Sequence, residues 1–378
     1  MTARRRPESI DGTLWLAKDE HTVCILDQTR LPHETVVRRL TSMEQVAEAI
    51  VTMQVRGAPL IGVSAAFGMA LAMRRNASDR SLEAAYQRLM ATRPTAVNLR
   101  WALDTMKAHL VPLSTGDRAA AAYAEAIRMR TADIATNRLI GEHGLRLIQD
   151  ALTRKVGAGP VNILTHCNAG RLGTLGWGTA TAPMYLAQEA GIPIHVWVSE
   201  TRPRNQGAAL TAWELGEKGI PLTVVVDNEA GHLLQRGLVD LVLVGADRVT
   251  ARGDAANKIG TYLKAVAARA HRVPFYVAFP STTIDWTLQD GVRDIPIEER
   301  SPREVTHVVG ALPNRRVGEV QVTPPTAAAR NDAFDVTPAR WISGLVTERG
   351  VCPATSAGLK RLFPEANAVA RKVRKLRR

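Results

Sequence analysis

The residues of this sequence that could do chemistry lie where apolar runs end. Asp247 and Arg248 follow the apolar run Leu241–Val244, and Asn257 and Lys258 come after a short turn rich in small residues. We expect Asn257 and Lys258 to open a helix that runs to about residue 271. The free N–H groups of a helix start, with a lysine beside them, form a site for an anion. This stretch therefore combines a carboxylic acid with a candidate site for a phosphate group, which we call an anion cradle.

Four more apolar runs are followed by short loops of polar, small or charged residues. With residues 241–244, the runs are residues 161–164, 194–198, 222–226 and 275–278. Gly-bounded segments with helical spacing separate them, which predicts parallel strands alternating with helices. The carboxyl ends of such strands meet at one edge of a sheet, where ligands bind. We therefore expect Cys167, Gln206 and Asp247 to face one cavity.

Each of these candidates has a purely structural alternative. A free cysteine is most often a small buried hydrophobic residue, and Asp247 could simply pair with Arg248. The position of Cys167 between His166 and Asn168, ahead of a glycine-rich turn, favours a functional role. The two small residues before Asp247 would let a ligand approach closely, which favours a role in catalysis.

A second candidate anion site lies in the first half of the chain. Arg56, Gly57 and Ala58 precede Pro59, a residue suited to the first turn of a helix. A guanidinium beside free N–H groups can bind a phosphate monoester. An ordinary helix start without a binding role would show the same residue pattern. Arg93, before Pro94, is a similar and weaker candidate.

The predicted helices and strands that position these residues divide the chain into three parts. We predict an α/β protein whose N-terminal domain, residues 1–155, is mostly helical after short initial strands. A parallel sheet flanked by helices follows in residues 156–351, and a basic tail occupies residues 352–378. No GxGxxG or P-loop motif follows the first strand, so the sequence indicates neither a dinucleotide nor ATP.

Composition narrows the class of protein further. The chain has 378 residues, 46% hydrophobic and 22% charged, as in soluble globular proteins. The three cysteines have no paired spacing, which predicts a cytoplasmic protein without disulfides. The histidines have no ligand spacing, and we predict neither a metal nor another cofactor. No apolar run is long enough to predict a membrane span. Much of the formal charge of +13 comes from Arg4 to Arg6 and from eight Lys or Arg in residues 359–378, which argues against nucleic-acid binding as the central function.

Taken together, ten ordered stretches of the sequence resemble one enzyme family. They are residues 26–32, 55–62, 93–99, 165–170, 200–215, 244–249, 253–262, 275–285, 295–300 and 333–338, including VRGAPLIG, THCNAG and VGADRV. The family is that of the methylthioribose-1-phosphate isomerases, within a group that includes archaeal ribose-1,5-bisphosphate isomerases and regulatory subunits of translation initiation factor 2B. Two features depart from the family pattern: Glu229, where a smaller or apolar residue is expected, and the basic tail beyond about residue 352.

This resemblance implies a fold, an activity and a set of site residues. The fold is a helical N-terminal domain with a Rossmann-like C-terminal domain, in a homodimer. The activity is the aldose–ketose isomerisation of 5-methylthioribose 1-phosphate in methionine salvage. Asp247 becomes the proton donor and Cys167 the second catalytic group. The substrate-binding set becomes Arg56, Gly57, Ala58, Arg93, Gln206, Asn257 and Lys258.

The substrate that the resemblance implies has no free aldehyde, because its anomeric oxygen is esterified. Ring opening then needs a proton at the ring oxygen, and we expect burial to keep Asp247 protonated. Cys167 would accept the C2 proton or support a direct hydride shift. Two alternatives stay open: an isomerase of 5-deoxyribose 1-phosphate or ribose 1,5-bisphosphate, and a noncatalytic subunit of a nucleotide-exchange complex.

Overall fold

The computed structural model describes residues 12–94, 96–313 and 316–365. Arg4 to Arg6, Thr95 and residues 366–378 of the predicted basic tail lie outside the described residues.

The N-terminal part is helical after three short antiparallel strands. Its elements are β1 (Leu14–Leu16), β2 (Val23–Leu26), β3 (Val37–Leu40), α1 (Met43–Val51), α2 (Ala58–Arg75), α3 (Asp79–Met90), α4 (Val97–Leu110) and α5 (Arg118–Arg154). The helices and the first two strands agree with the prediction, whereas β3 was not foreseen.

Helix α2 is the centre of the N-terminal core. All of its 18 residues except Pro59, Arg74 and Arg75 are buried, and its apolar side chains pack against α1, α3, α4 and α5. A helix that is apolar on every side is stable only when neighbours surround it. Its first turn, at Ala58 and Pro59, is therefore held rigidly.

Helix α5 joins the two parts of the molecule. Its 37 residues would span about 55 Å at the rise of an α-helix. Ala122 and Met129 near its start pack in the N-terminal core, whereas Ile140 and Ile148 pack in the core of the large sheet. Because α5 takes part in both cores, the domain boundary at residue 155 stays a prediction.

The second part of the chain alternates strands and helices. Its elements are β4 (Val161–His166), α6 (Ala182–Glu189), β5 (Ile194–Ser199), α7 (Ala212–Glu217), β6 (Leu222–Val225), α8 (Glu229–Gln235), β7 (Leu241–Val244), β8 (Arg248–Thr250), β9 (Ala255–Lys258), α9 (Thr261–Ala270), β10 (Phe275–Ala278), β11 (Ile284–Asp285), α10 (Gly291–Asp294), α11 (Arg303–Thr306), β12 (His307–Ala311), β13 (Val317–Gln321), β14 (Phe334–Thr337), β15 (Gly344–Thr347), β16 (Gly350–Cys352) and α12 (Ser356–Leu362).

Seven of these strands form one sheet in the order β16-β15-β10-β7-β4-β5-β6. All neighbouring pairs are parallel except β15 with β16. The five predicted strands are confirmed, and β15 and β16 extend the sheet beyond them. The α/β fold class is thereby confirmed, with one antiparallel strand at the edge.

Both faces of the sheet are covered by helices. On one face Leu241 and Leu243 pack with α5, α6 and α7, and on the other Val242 and Val244 pack with α8, α9 and α12. Leu359 of α12 is fully buried in this second core. The core of the sheet therefore extends past the boundary predicted at residue 352.

The prediction for Asn257 and Lys258 was wrong in one respect. These residues do not open a helix but end strand β9, and α9 begins only at Thr261. Strand β9 pairs with β14, so Lys258 lies opposite Phe334 in a separate four-stranded sheet, β11-β8-β9-β14. A pairing partner far along the chain overrides the local preference for helix.

Candidate active site

One cavity lies between the carboxyl edge of the large sheet and the start of α2. Its empty volume is about 710 Å³. All nine residues predicted for the site line it: Arg56, Gly57, Ala58, Arg93, Cys167, Gln206, Asp247, Asn257 and Lys258. The structure therefore brings the residues of both predicted anion sites and both predicted catalytic groups together, although Asn257 and Lys258 end a strand and do not open a helix. The roles of these residues stay predictions.

The start of α2 forms one wall of this cavity. Gly57 precedes the helix with a φ of 96°, and a Cβ there would lie 2.3 Å from the carbonyl oxygen of Gly173. Only glycine allows this conformation and this close approach. The first turn of α2, the preferred position for a bound anion, lines the cavity beside Arg56.

Arg56 is almost fully buried and is held by one residue of the loop after β4. Its Nη1 donates a hydrogen bond to Oδ1 of Asn168 over 2.6 Å, and its Nη2 donates to the main-chain oxygen of Asn168 over 2.7 Å. The guanidinium therefore faces the cavity in a fixed orientation.

Cys167 adopts a left-handed backbone conformation, with a φ of 66°. Such a conformation costs a non-glycine residue about 1–3 kcal/mol and is often found at functional sites. It is held from both sides, because the N–H of Cys167 donates to Oγ1 of Thr201 over 2.8 Å and its carbonyl accepts from Oγ1 of Thr211 over 2.6 Å. Burial raises the pKa of the thiol, so Cys167 is held in its neutral form.

Asp247 follows strand β7 at the floor of the cavity. Its N–H donates to the carbonyl of Ala256 over 2.9 Å, which fixes the backbone. Burial raises the pKa of its carboxyl, against the charges of Lys258, Arg93 and Arg56, which lower it. The pKa is shifted in the direction that a proton donor requires. Arg248 forms an ion pair with Asp285 at 3.5 Å, so the alternative of a pair between Asp247 and Arg248 is not what the structure shows.

Lys258 brings a positive charge that acts on both predicted catalytic groups. Its Nζ lies 4.5 Å from the centre of the Phe334 ring, and the side chain is buried. Burial lowers the pKa of Lys258, while Cys167 and Asp247 raise it. The ammonium in turn lowers the pKa values of Cys167 and Asp247, in opposition to burial, which raises both.

Gln206 and Asn257 supply neutral polar groups to the cavity. Gln206 is buried, and no described group bonds to its Oε1. Nδ2 of Asn257 donates to Oγ1 of Thr261 over 3.0 Å, which fixes the orientation of its amide. A buried acceptor without a partner is costly unless a ligand supplies a donor.

A chain of ion pairs runs along the mouth of the cavity. Glu298 pairs with Arg93 at 2.9 Å and with Arg300 at 2.9 Å, and Glu304 pairs with Arg300 at 2.7 Å and with Arg204 at 2.9 Å. Arg204 and Arg300 line the cavity but were not singled out from the sequence. Both lie inside the matching stretches, yet nothing local distinguishes them from surface arginines.

A second, smaller cavity is continuous with the first and is mostly apolar. We call it the apolar annex; its empty volume is about 510 Å³. It shares Ala58, Arg93, Asp247 and Phe334 with the central cavity, and its other lining residues are Ile61, Ala96, Arg248, Ala256, Ile295, Pro296 and Ile297. Its two arginines are both engaged, Arg93 with Glu298 and Arg248 with Asp285.

The polar loop after β6 supports the site from behind. Asp227 accepts hydrogen bonds from Oγ of Ser199, from the N–H of Thr201 and from the N–H of Arg202. Asp227 thus fixes the loop that carries Gln206. Glu229 is exposed and is not part of the cavity lining, so the unexpected residue there does not change the pocket.

Neither a membrane-spanning helix nor a metal-binding cluster occurs among the described residues. No helix there is both long and apolar enough to span a membrane. No cluster of three or more His, Cys, Asp or Glu residues there has the arrangement of a metal site.

Comparisons with known proteins agree on one family. The model of the initiation factor 2 subunit family matches residues 54–354. A relative named methylthioribose-1-phosphate isomerase, from Paramagnetospirillum magneticum, is 61% identical over 353 residues, which is 93% of this chain and 97% of the relative.

Two solved structures are similar over nearly the whole chain. The 5-methylthioribose 1-phosphate isomerase of Pyrococcus horikoshii superposes with a TM-score of 0.80 at 38% identity, covering 94% of this chain and 96% of that one. Subunit delta of the translation initiation factor eIF-2B from A. fulgidus superposes with a TM-score of 0.77 at 35% identity. The match covers 93% of this chain and 99% of that one.

Proposed function

The chain belongs to the initiation factor 2 subunit family, and on that premise we propose that it is an aldose–ketose isomerase acting on 5-methylthioribose 1-phosphate in methionine salvage. Its product is 5-methylthioribulose 1-phosphate. The observation that carries the proposal is the convergence of Asp247, Cys167 and an anion cradle in one cavity. The family membership predicted from the ordered motifs is confirmed.

The first step of the reaction is ring opening, for which Asp247 is the proton donor. The anomeric oxygen of the substrate is esterified, so the ring opens only when its oxygen is protonated. The raised pKa of Asp247 supports this role, because an ordinary aspartate is almost fully ionised at neutral pH. The proton moves from the Asp247 carboxyl to the ring oxygen, and the carboxylate that remains is stabilised by Lys258.

The second step moves hydrogen from C2 to C1, next to Cys167. In one route the thiolate of Cys167, whose own proton has passed to solvent, takes the proton from C2 to give an enol and then protonates C1; in the other route the hydrogen moves from C2 to C1 directly as hydride. In both routes the 2-hydroxyl then loses its proton to the Asp247 carboxylate, which restores the acid and leaves a ketone at C2. The raised pKa of Cys167 means that the first route must begin with deprotonation of its thiol. The routes differ in one observable: in D₂O the first introduces deuterium at C1, and the second does not.

The phosphate occupies the end of the cavity formed by the start of α2. Arg56 and the first N–H groups of α2, after Gly57 and at Ala58, bind it. Fixing the phosphate fixes C1 and C2 relative to the catalytic groups, which is a large part of what an enzyme contributes. Arg93, Gln206, Asn257 and Lys258 complete the substrate-binding set, and the unpartnered Oε1 of Gln206 accepts from a sugar hydroxyl.

The apolar annex favours a sugar with an apolar group at C5. Ile61, Ile295 and Ile297 are suited to a methylthio or methyl group. A second phosphate, as in ribose 1,5-bisphosphate, would need a cation that is not already engaged, and Arg93 and Arg248 are both in ion pairs with carboxylates. The annex therefore supports methylthioribose 1-phosphate and 5-deoxyribose 1-phosphate over the bisphosphate.

A second candidate function follows from the similarity to the initiation factor subunit of A. fulgidus. A noncatalytic subunit would act through a protein-binding surface and would not need buried Asp247 and Cys167 beside an anion cradle. We therefore rank it below the isomerase.

The test is steady-state isomerisation by the purified protein of methylthioribose 1-phosphate, 5-deoxyribose 1-phosphate and ribose 1,5-bisphosphate. We expect the highest kcat/KM with the first. Comparable values for the first two would broaden the assignment to 5-deoxypentose phosphates. The absence of turnover with all three, with Cys167 reduced, would refute the proposal and favour the noncatalytic function.

We further propose that the protein works as a homodimer in the cytoplasm and that its second part is a Rossmann-like domain. The dimer is what the resemblance of the ordered motifs implies, and free Cys24, Cys167 and Cys352 suit a reducing compartment. Light scattering of the purified protein tests the dimer directly.

A further inference from the structure

Behind the anion cradle lies a buried polar cluster that the proposed mechanism does not use. Its centre is Glu214 of α7, which is 0% exposed, and its other members are Asn168 and Thr211. A buried carboxylate is costly unless hydrogen bonds compensate it. The cluster therefore needs a reason for its presence.

Hydrogen bonds connect Glu214 to the guanidinium of Arg56. Nδ2 of Asn168 donates to Oε1 of Glu214 over 3.1 Å and to Oγ1 of Thr211 over 3.1 Å. On its other side, Oδ1 and the main-chain oxygen of Asn168 accept the two bonds from Arg56. Asn168 is thus the only link in this path between the carboxylate and the guanidinium.

The orientation of the Asn168 amide is determined by its neighbours. An arginine has donors and no acceptor, so only the oxygen of the amide can face Arg56. The nitrogen must then face an acceptor, which Glu214 provides. Were Glu214 replaced by an apolar residue, the amide nitrogen would keep Thr211 as an acceptor and would lose its one charged acceptor.

Glu214 is itself fixed by the loop after β4. Its Oε2 accepts from the N–H of Leu172 over 3.1 Å. A Cβ at Gly170 would lie 1.3 Å from Oε1 of Glu214, so the carboxylate fits only against a glycine. Burial raises the pKa of Glu214 to about 7, against the N–H of Leu172 and the charges of Arg171 and Arg56, which lower it.

We propose that Asn168 and Glu214 are positioning residues that hold the guanidinium of Arg56 toward the phosphate of the substrate. The phosphate at this position rests on the proposed function, whereas the hydrogen bonds that orient Arg56 do not depend on it. A mobile arginine would lose side-chain entropy each time an anion binds, and a prearranged one does not.

The same cluster reaches Cys167. Oγ1 of Thr211 accepts from Asn168 and donates to the carbonyl of Cys167 over 2.6 Å. The left-handed backbone of Cys167 and the guanidinium of Arg56 are thus fixed by one set of hydrogen bonds. Disturbing Asn168 should therefore affect both substrate binding and turnover.

A double-mutant cycle with Arg56 tests the proposal. The affinity for inorganic phosphate is measured by titration calorimetry for the wild type, R56A, N168A and R56A/N168A. We expect N168A to weaken binding about tenfold or more, as for loss of a charge-assisted hydrogen bond. In the R56A background the same change should weaken binding less than about twofold, because its effect passes through Arg56.

E214Q is the second variant, because it keeps the shape of the side chain and serves even if N168A does not fold. A glutamine would turn its NH₂ group toward either Asn168 or Leu172, both of which present donors. We expect E214Q to weaken phosphate binding. In the R56A background this effect of E214Q should again disappear. Matched controls are N137A and E125Q, at buried residues of α5 outside the cavity, which should leave phosphate binding unchanged.

The outcomes separate this proposal from the proposed function. Additive effects of R56A and N168A, or phosphate binding by N168A and E214Q equal to that of the wild type, would overturn the positioning role even in an active isomerase. Coupled effects in a protein that isomerises none of the three sugar phosphates would uphold the positioning role and refute the isomerase.

Discussion

Replacing Asp247 by asparagine is the most direct test of the chemistry. Asparagine has nearly the shape of aspartate but no proton to donate to a ring oxygen. The backbone at this position is fixed by the bond from its N–H to Ala256, so the fold should not change. We expect kcat to fall about a thousandfold or more, while the affinity for phosphate stays within a few-fold of the wild type.

The expected loss of kcat follows from the fraction of Asp247 that is protonated. An aspartic acid with its ordinary pKa of about 3.9 is protonated in about one molecule in a thousand at pH 7. Burial raises the pKa and with it the protonated fraction, which can increase by at most about that factor. General acids commonly contribute about 10²- to 10⁴-fold, so the two magnitudes agree.

The pH dependence of kcat/KM shows which protonation state of Asp247 is active. Asp247 is active when protonated, so kcat/KM of the wild type should fall as the pH rises through the pKa of Asp247 in the folded protein. Because burial raises that pKa, the fall should occur above the range of an ordinary aspartate. D247N should lack this limb.

The control is D240N, at the opposite end of strand β7, where Asp240 pairs with Lys155 away from the cavity. It should retain turnover. If D247N kept more than a tenth of the wild-type kcat, or if wild-type kcat/KM rose through this pH range, Asp247 would not be the proton donor.

Three further predictions concern other parts of the site. Iodoacetamide should alkylate Cys167 more slowly than a free cysteine at pH 7, because burial raises the pKa of its thiol; faster labelling of the Cys167 peptide, measured by mass spectrometry, would contradict this. Replacing Ile295 by alanine should lower kcat/KM for methylthioribose 1-phosphate about tenfold without lowering that for ribose 1,5-bisphosphate, since only the first substrate loses apolar contact; an equal loss for both would argue against the apolar annex. Replacing Gly57 by alanine should lower the free energy of unfolding by more than about 2 kcal/mol in urea titrations, because the new Cβ would lie 2.3 Å from the oxygen of Gly173; an unchanged midpoint would show that the loop can move aside.

The sequence predicted the sheet and the residues of the cavity because both follow from a local pattern. An apolar run followed by a polar loop marks the carboxyl end of a parallel strand, and Cys167, Gln206 and Asp247 each follow such a run. Arg56 and Gly57 were found in the same way, from the start of a helix that is otherwise apolar. Patterns of this kind need only a few neighbouring residues.

Features that depend on distant parts of the chain were missed. Lys258 was placed on a helix because its pairing with Phe334 in strand β14 cannot be read from its neighbours. Glu214 looks like a surface residue of an ordinary helix, and only the folded loop around Gly170 shows that it is buried. The arginines at the mouth were equally hidden, because their carboxylate partners lie in other segments.

The cavity between the two parts of the chain also makes catalysis a late event in folding. Arg56 depends on Asn168, 112 positions away, and Arg93 on Glu298, 205 positions away. Contacts between residues that are near in sequence generally form faster than contacts of this sequence separation. During refolding from urea, isomerase activity should therefore return after the helical circular dichroism signal, so that activity reports the docking of the two parts.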